Sequence, residues 1–351
     1  PFKAFATIEP YEVRFEILAS GEAITGLLEF PLSTPGIIGV SEQDALKEKA
    51  IEELGGRFTL EIDGQTPTPE VRRADFVTLG AAGAFTRTET VDEPLEASIL
   101  GLTFGYPLSA PPKSLAVTWD RLPITDGEIP ATILEPAGTV GFSFSPEQPR
   151  LEWANQSDEL RPASITAVDV ARPTWAPFSI LLLLAGLFLT AKARPLMSYG
   201  CVALALLTAP LLRVTLPLAS PLPEDQAGEV VDHLLTNIYR AFDFRQESTI
   251  YDQLAVSVSG EQLTEVYLEQ RRALELENRG GARVRVDNVE VESIEGLTPA
   301  GGGVDVHARW NVSGSVNHFG HTHYRRNAYD AILRLEPTDG VWKITGIEVN
   351  E

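Results

Sequence analysis

Four of the five histidines in this 351-residue chain fall between positions 307 and 323. The densest stretch reads His318-Phe-Gly-His321-Thr-His323. On a strand, positions 321 and 323 point to the same side, about 7 Å apart. Position 318 lies across a turn at Gly320 and can swing close. Three imidazoles near one point, His318, His321 and His323, suit zinc or copper, with one coordination position open for water or a further ligand. The bland reading of the same residues is an exposed hairpin tip that happens to be rich in histidine. The cluster contains no cysteine or carboxylate.

Alternation gives a second reading. Tyr329, Ala331, Leu333 and Leu335 share one parity and predict a strand face turned to a core. Continued toward the turn, that face carries Asn327, Arg325, His323 and His321. Polar residues on such a face are costly unless they line a pocket or bond one another. His323, Arg325, Asn327 and Tyr329 are therefore candidate ligand-pocket residues. His323 with Asp330 or Asp252 would supply an acid and a base, but no catalytic residue or cofactor-binding residue is assigned. Glu89, Asp92, Glu93 and Glu96 are of calcium-ligating type and read more simply as a solvated acidic loop. No histidine precedes His233, which excludes a Ser-His-Asp triad confined to the first half of the chain.

These candidates need elements to position them. Residues 1–172 show period-two alternation, as in Tyr11, Val13, Phe15 and Ile17, and in Leu100, Leu102, Phe104 and Tyr106. Phe58, Leu60 and Ile62, then Leu115, Val117 and Trp119, then Val140, Phe142 and Phe144 repeat it. Such segments are half-buried strands, and seven to nine of them imply an antiparallel β-sandwich. One helix interrupts, with Ser41 as cap, Leu46, Ala50, Ile51 and Leu54 as its apolar stripe, and Gly55-Gly56 as its end.

From 222 to 351 the order changes to helices, then sheet. Val231, Leu234, Leu235, Ile238 and Phe242 form one stripe. Ile250, Tyr251, Leu254 and Val258 form a second. Ser259-Gly-Glu-Gln262 is a capping box for a third helix. Strands follow at 284–294, 304–316, 321–335 and 341–349, with Asp339-Gly340 turning the last pair. This pattern predicts an α+β cone, helices packed on a curved antiparallel sheet. With Tyr239-Arg-Ala-Phe242 and the closing Asp339-Gly-Val-Trp-Lys-Ile344, it resembles the nuclear-transport-factor-two-like superfamily. The resemblance implies a fold and a pocket, not an activity. Through Glu9-Pro-Tyr-Glu-Val-Arg-Phe-Glu16, Ile238-Tyr-Arg-Ala-Phe-Asp243 and Gly320-His-Thr-His323, the chain also resembles an uncharacterised family of bacterial membrane proteins.

Between the two domains, residues 173–218 hold two apolar runs, 175–191 and 197–217, around a turn at 192–196 that carries Lys192 and Arg194. Runs of this length and apolarity predict a transmembrane helical hairpin in a multidomain membrane protein. A basic turn stays in the cytoplasm. Both flanking domains would then be extracytoplasmic, on a bacterial inner membrane. The chain begins at Pro1, which suggests a signal peptide removed before it. Membrane lipid is thus one expected partner.

The net charge is −21. An acidic chain repels phosphate backbones, so nucleic acid is not an expected partner. The single cysteine, Cys201, excludes an internal disulfide. The whole predicts a non-catalytic, membrane-anchored accessory or scaffold subunit. It would bind membrane or periplasmic proteins, or copies of itself. Histidine-based metal handling and a ligand-binding or enzymatic cone are the alternatives.

Overall fold

The computed structural model describes residues 1–80, 83–86, 90–156, 160, 162–170, 182, 184–188, 199–200, 222–278, 284–319 and 321–350. They form two lobes. The first holds twelve strands: β1 (Phe2–Glu9), β2 (Glu12–Ser20), β3 (Ile37–Ile38), β4 (Phe58–Ile62), β5 (Glu70–Gly80), β6 (Gly83–Thr86), β7 (Glu93–Pro94), β8 (Ile99–Pro107), β9 (Ser114–Trp119), β10 (Ile129–Glu135), β11 (Gly138–Phe144) and β12 (Arg150–Ala154). A seven-stranded sheet runs β11-β10-β1-β2-β8-β5-β6, a three-stranded sheet runs β12-β9-β4, and β3 pairs β7. β1 and β10 are parallel; the other pairs are antiparallel.

The inward parity of these strands makes one core. Phe15, Phe58, Phe104, Trp119 and Phe144 meet there in tilted and edge-on ring contacts. Helix α1 (Gly21–Leu27) starts at Ser20, whose hydroxyl accepts the Ala23 N–H. Helix α2 (Val40–Gly55) turns Leu46, Ala50 and Leu54 inward. Its cap is Gly39 rather than Ser41. The Glu42 carboxylate accepts the Gly39 N–H at 3.0 Å, and Asp92 accepts the Val40 N–H at 2.9 Å.

The second lobe has helices α3 (Glu224–Ala241), α4 (Glu247–Ser257) and α5 (Glu261–Asn278), and strands β14 (Val284–Ala300), β15 (Gly303–His318), β16 (His321–Thr338) and β17 (Val341–Val349). A short strand from the stretch between the lobes, β13 (Val168–Asp169), pairs with Val341 and Trp342. The sheet order is β13-β17-β16-β15-β14. Val304, Val306, Ala308 and Trp310 of β15 alternate inward with Ala331, Leu333 and Leu335 of β16. They meet Val231, Leu234, Leu235 and Ile238 of α3.

The membrane expectation is corrected here. Among the described residues, no helix is long and apolar enough to cross a membrane. Of the two apolar runs, only Leu182, 184–188 and 199–200 are described, and these are helical. The fold class with a transmembrane hairpin and the inner-membrane location are therefore withdrawn. The remainder of 175–191 and 197–217, the basic turn and Cys201 lie outside the described residues.

Candidate functional site

The histidine tip comes first. The backbone register sets His318 opposite His321 and Val316 opposite His323, with Phe319 in the turn between them. The side chains of all three histidines lie outside the described residues. Phe319 is described, and it is buried.

The expected pocket face places its members unevenly. Arg325 and Asn327 lie opposite Gly314 and Val312, and both are exposed. Tyr329 is half-buried and stacks on Trp310, with ring centroids 5.4 Å apart. The Trp310 indole donates to the Tyr239 hydroxyl at 3.3 Å. Burial pushes the Tyr239 phenol up to about 12, so it is a neutral hydrogen-bonding group rather than a base at neutral pH. Asp330 has the opposite parity to residue 323 and faces the other side of the sheet. There its carboxylate meets Arg309 at 2.6 Å, Asn350 at 2.5 Å and His307 at 2.7 Å. Those bonds, Arg309 first, hold it far below the usual carboxylate range. His307 Nδ1 lies 3.5 Å from Glu295, so both its ring nitrogens face carboxylates. Asp252 is exposed on α4.

Elsewhere, Asp92 serves as the α2 cap. Glu93 is buried, Glu96 is exposed, and Glu89 lies outside the described residues. His233 sits 2.8 Å from the Thr166 hydroxyl. No group of three metal-ligating side chains able to hold an ion occurs among the described residues.

The densest buried charge lies where the lobes meet, on the outer face of the seven-stranded sheet. The hairpin of β1 and β2 sets Glu9 opposite Glu12. On β2, Val13, Phe15 and Ile17 turn into the core, so Glu12, Arg14, Glu16 and Leu18 take the outer face. They too are buried, because the second lobe covers them. Arg245, from the α3–α4 connection, reaches both carboxylates: Glu9 in a very short contact and Glu12 at 3.0 Å. Arg14 pairs with Glu9 at 3.1 Å, and Arg72 pairs with Glu12 at 3.1 Å and with Glu70 at 2.9 Å. Beside them the Tyr11 and Phe244 rings pack with centroids 4.2 Å apart and planes tilted by 30°, and the Tyr11 hydroxyl accepts the Ala163 N–H at 2.9 Å.

Burial alone would raise the Glu12 carboxyl, but Arg245, Arg14 and Arg72 together hold it below its ordinary range. Burial likewise opposes the charge on Arg245, and Glu12 and Glu9 outweigh it. Two nearby carboxyls go the other way. Burial lifts Glu16 against the pull of Arg14, and lifts Asp243 against Arg240.

Further along the same face, the hairpin tip of the second lobe meets the first. The Phe319 N–H donates to Glu16 at 3.0 Å, and the Thr103 hydroxyl donates to the same carboxylate at 3.4 Å. The Phe319 ring packs with Leu18 and Val77, flanked by Phe5 and Ile99. Two glycines of β8 make room. A Cβ at Gly101 would stand 2.6 Å from the Phe319 ring, and one at Gly105 would stand 2.6 Å from Arg72 and 3.0 Å from Glu12. This joint was not read from the sequence. Its signal was present as an outward parity of small residues, Gly101, Thr103 and Gly105, facing alternating opposite charges on β2.

Chemically, the joint holds rather than reacts. Carboxylates pinned by guanidinium groups are poor general bases, and Glu9 and Glu12 both have such partners.

No protein-family model matches the chain, and no curated protein matches it. Among solved structures, the intermembrane space region of chloroplast protein ARC6 is similar at 18% identity and a TM-score of 0.28, over 36% of this chain and 96% of that one. That likeness is too slight to define a fold or a function.

Proposed function

We propose that the protein is a non-catalytic scaffold whose two lobes form one frame for binding other proteins or further copies of itself. The observation that carries this reading is Arg245, buried between Glu9 and Glu12 of the other lobe. Removing Arg245 from two buried carboxylates is costly, so it keeps the lobes joined. Two joined lobes present surfaces of both to a partner, which a scaffold needs and an isolated binding domain does not. Tyr324, 80% exposed, stands next to Arg325 and Arg326 on β16, and Tyr and Arg are the residue types that dominate binding energy at protein interfaces.

Sedimentation and light scattering of the full chain over a wide concentration range, with cross-linking in its native extract, test the reading. Concentration-dependent self-association, or a stoichiometric cross-linked partner, that Tyr324→Ala weakens by tenfold or more supports it. A chain that remains a solitary monomer and cross-links to nothing defeats it.

A further inference from the structure

Two contacts between the lobes differ in kind. At the Arg245 end, opposite charges are buried together, and parting the lobes would take the Arg245 guanidinium from both of its carboxylates, which keep Arg14 and Arg72 in their own lobe. At the tip end, the second lobe's contribution among the described residues is the Phe319 N–H and the Phe319 ring. The two ends sit four to six residues apart along β2, roughly 13–20 Å at strand rise. They belong to separate elements of the second lobe, the α3–α4 connection and the β15–β16 hairpin.

The tip also stores strain. Phe319 has φ of 45°, in the left-handed region. His318 pairs His321, so the connection has two residues, and hairpins this tight favour Asn or Gly at the first of them. A bulky aromatic residue there is costly by itself. Phe319 therefore fits its seat and not its turn. The seat is hollowed for it at Gly101. Beneath lies Glu16, a buried carboxyl whose hydration the tip prevents.

We propose that the β15–β16 hairpin tip is a releasable latch, and that the lobes swing apart at Phe319 while Arg245 keeps them joined as a hinge. Opening relieves the backbone strain at Phe319, lets water reach Glu16, and uncovers Leu18, Val77 and Thr103 on the outer sheet face.

Amide hydrogen exchange on the full chain tests this. The Phe319 amide, which donates across the joint to Glu16, should exchange at least about tenfold faster than the Leu102 amide in the core of the first lobe. Gly101→Val fills the seat. It should cost the Phe319 amide a further tenfold or more in protection while the nuclear Overhauser contacts between the Tyr11 and Phe244 rings persist. Phe319→Ala removes the plug without altering the first lobe, and should show the same selective loss of protection in the flanking β15 and β16 amides if the valine variant does not fold. The latch is refuted if Phe319 exchanges only with the global core, or if either variant breaks the Tyr11–Phe244 contact together with the tip.

Discussion

Glu12 and Glu16 stand four residues apart on one face of one strand, and their carboxyls are displaced in opposite directions. The difference lies in their neighbours: Glu12 has guanidinium groups within hydrogen-bonding distance, whereas Glu16 has a hydroxyl and an amide. The consequences for stability have opposite signs. Glu12, displaced down from its ordinary value of 4.5, adds stability at pH above that value, and the gain is lost as pH falls through its folded-state value. Glu16, displaced up, leaves stability whole below 4.5 and erodes it as pH rises through its own folded-state value. Glu16→Gln should thus flatten the alkaline side of the stability curve and make the protein more stable there, by about 1.4 kcal/mol for each unit of displacement removed. Glu12→Gln should destabilise at neutral pH. Urea unfolding from pH 4 to pH 9 checks both. The sequence showed the inward parity of β2 clearly. It could not show that the other parity was buried as well, because the covering residues, Arg245 and Phe319, lie more than 200 positions away.

At the scale of elements, local pattern carried furthest where each element makes its own signal. The stripe from Val231 to Ile238 marks α3, and Asp339-Gly340 turns β16 into β17 with both residues at positive φ. Ser41 misled because the cap is supplied by tertiary contact. Asp92 lies 52 residues away, and Glu42 closes back on Gly39. The segment 162–170 gave no periodic signal, yet it straps the second lobe. Ile165, Val168 and Val170 pack on the core there, and the buried Asn237 donates to the Thr166 carbonyl and to the Ser257 hydroxyl, each at 2.8 Å. Asn237→Leu should cost about 1–3 kcal/mol, by leaving the Thr166 carbonyl without its donor. It should also make residues 162–170 the first site of limited proteolysis. Trp342, fully buried in β17, should cost about 3–5 kcal/mol when replaced by alanine. Thermal or chemical denaturation measures each.

For the whole molecule, the Arg245 joint decides whether two lobes behave as one. The intact chain should unfold in a single transition. Arg245→Leu should remove about 3–5 kcal/mol of coupling by deleting the guanidinium that Glu9 and Glu12 share across the joint, and should split the curve into two steps read by separate lobe probes. One transition of unchanged midpoint in the variant would show that the joint couples nothing. The membrane expectation failed at this same scale. Hydropathy along a run reports that side chains avoid water, but crossing a bilayer as a helix also requires about 20 unbroken helical residues, and no such helix exists among the described residues. The small strand Val168–Asp169 has a consequence for anyone dividing the chain. Cut at residue 222, the second lobe loses the neighbour along Val341 and Trp342, and the bared backbone groups there become a template for other chains. Such a fragment should clump in solution, and a synthetic peptide spanning 162–170, added in excess, should restore it to single particles.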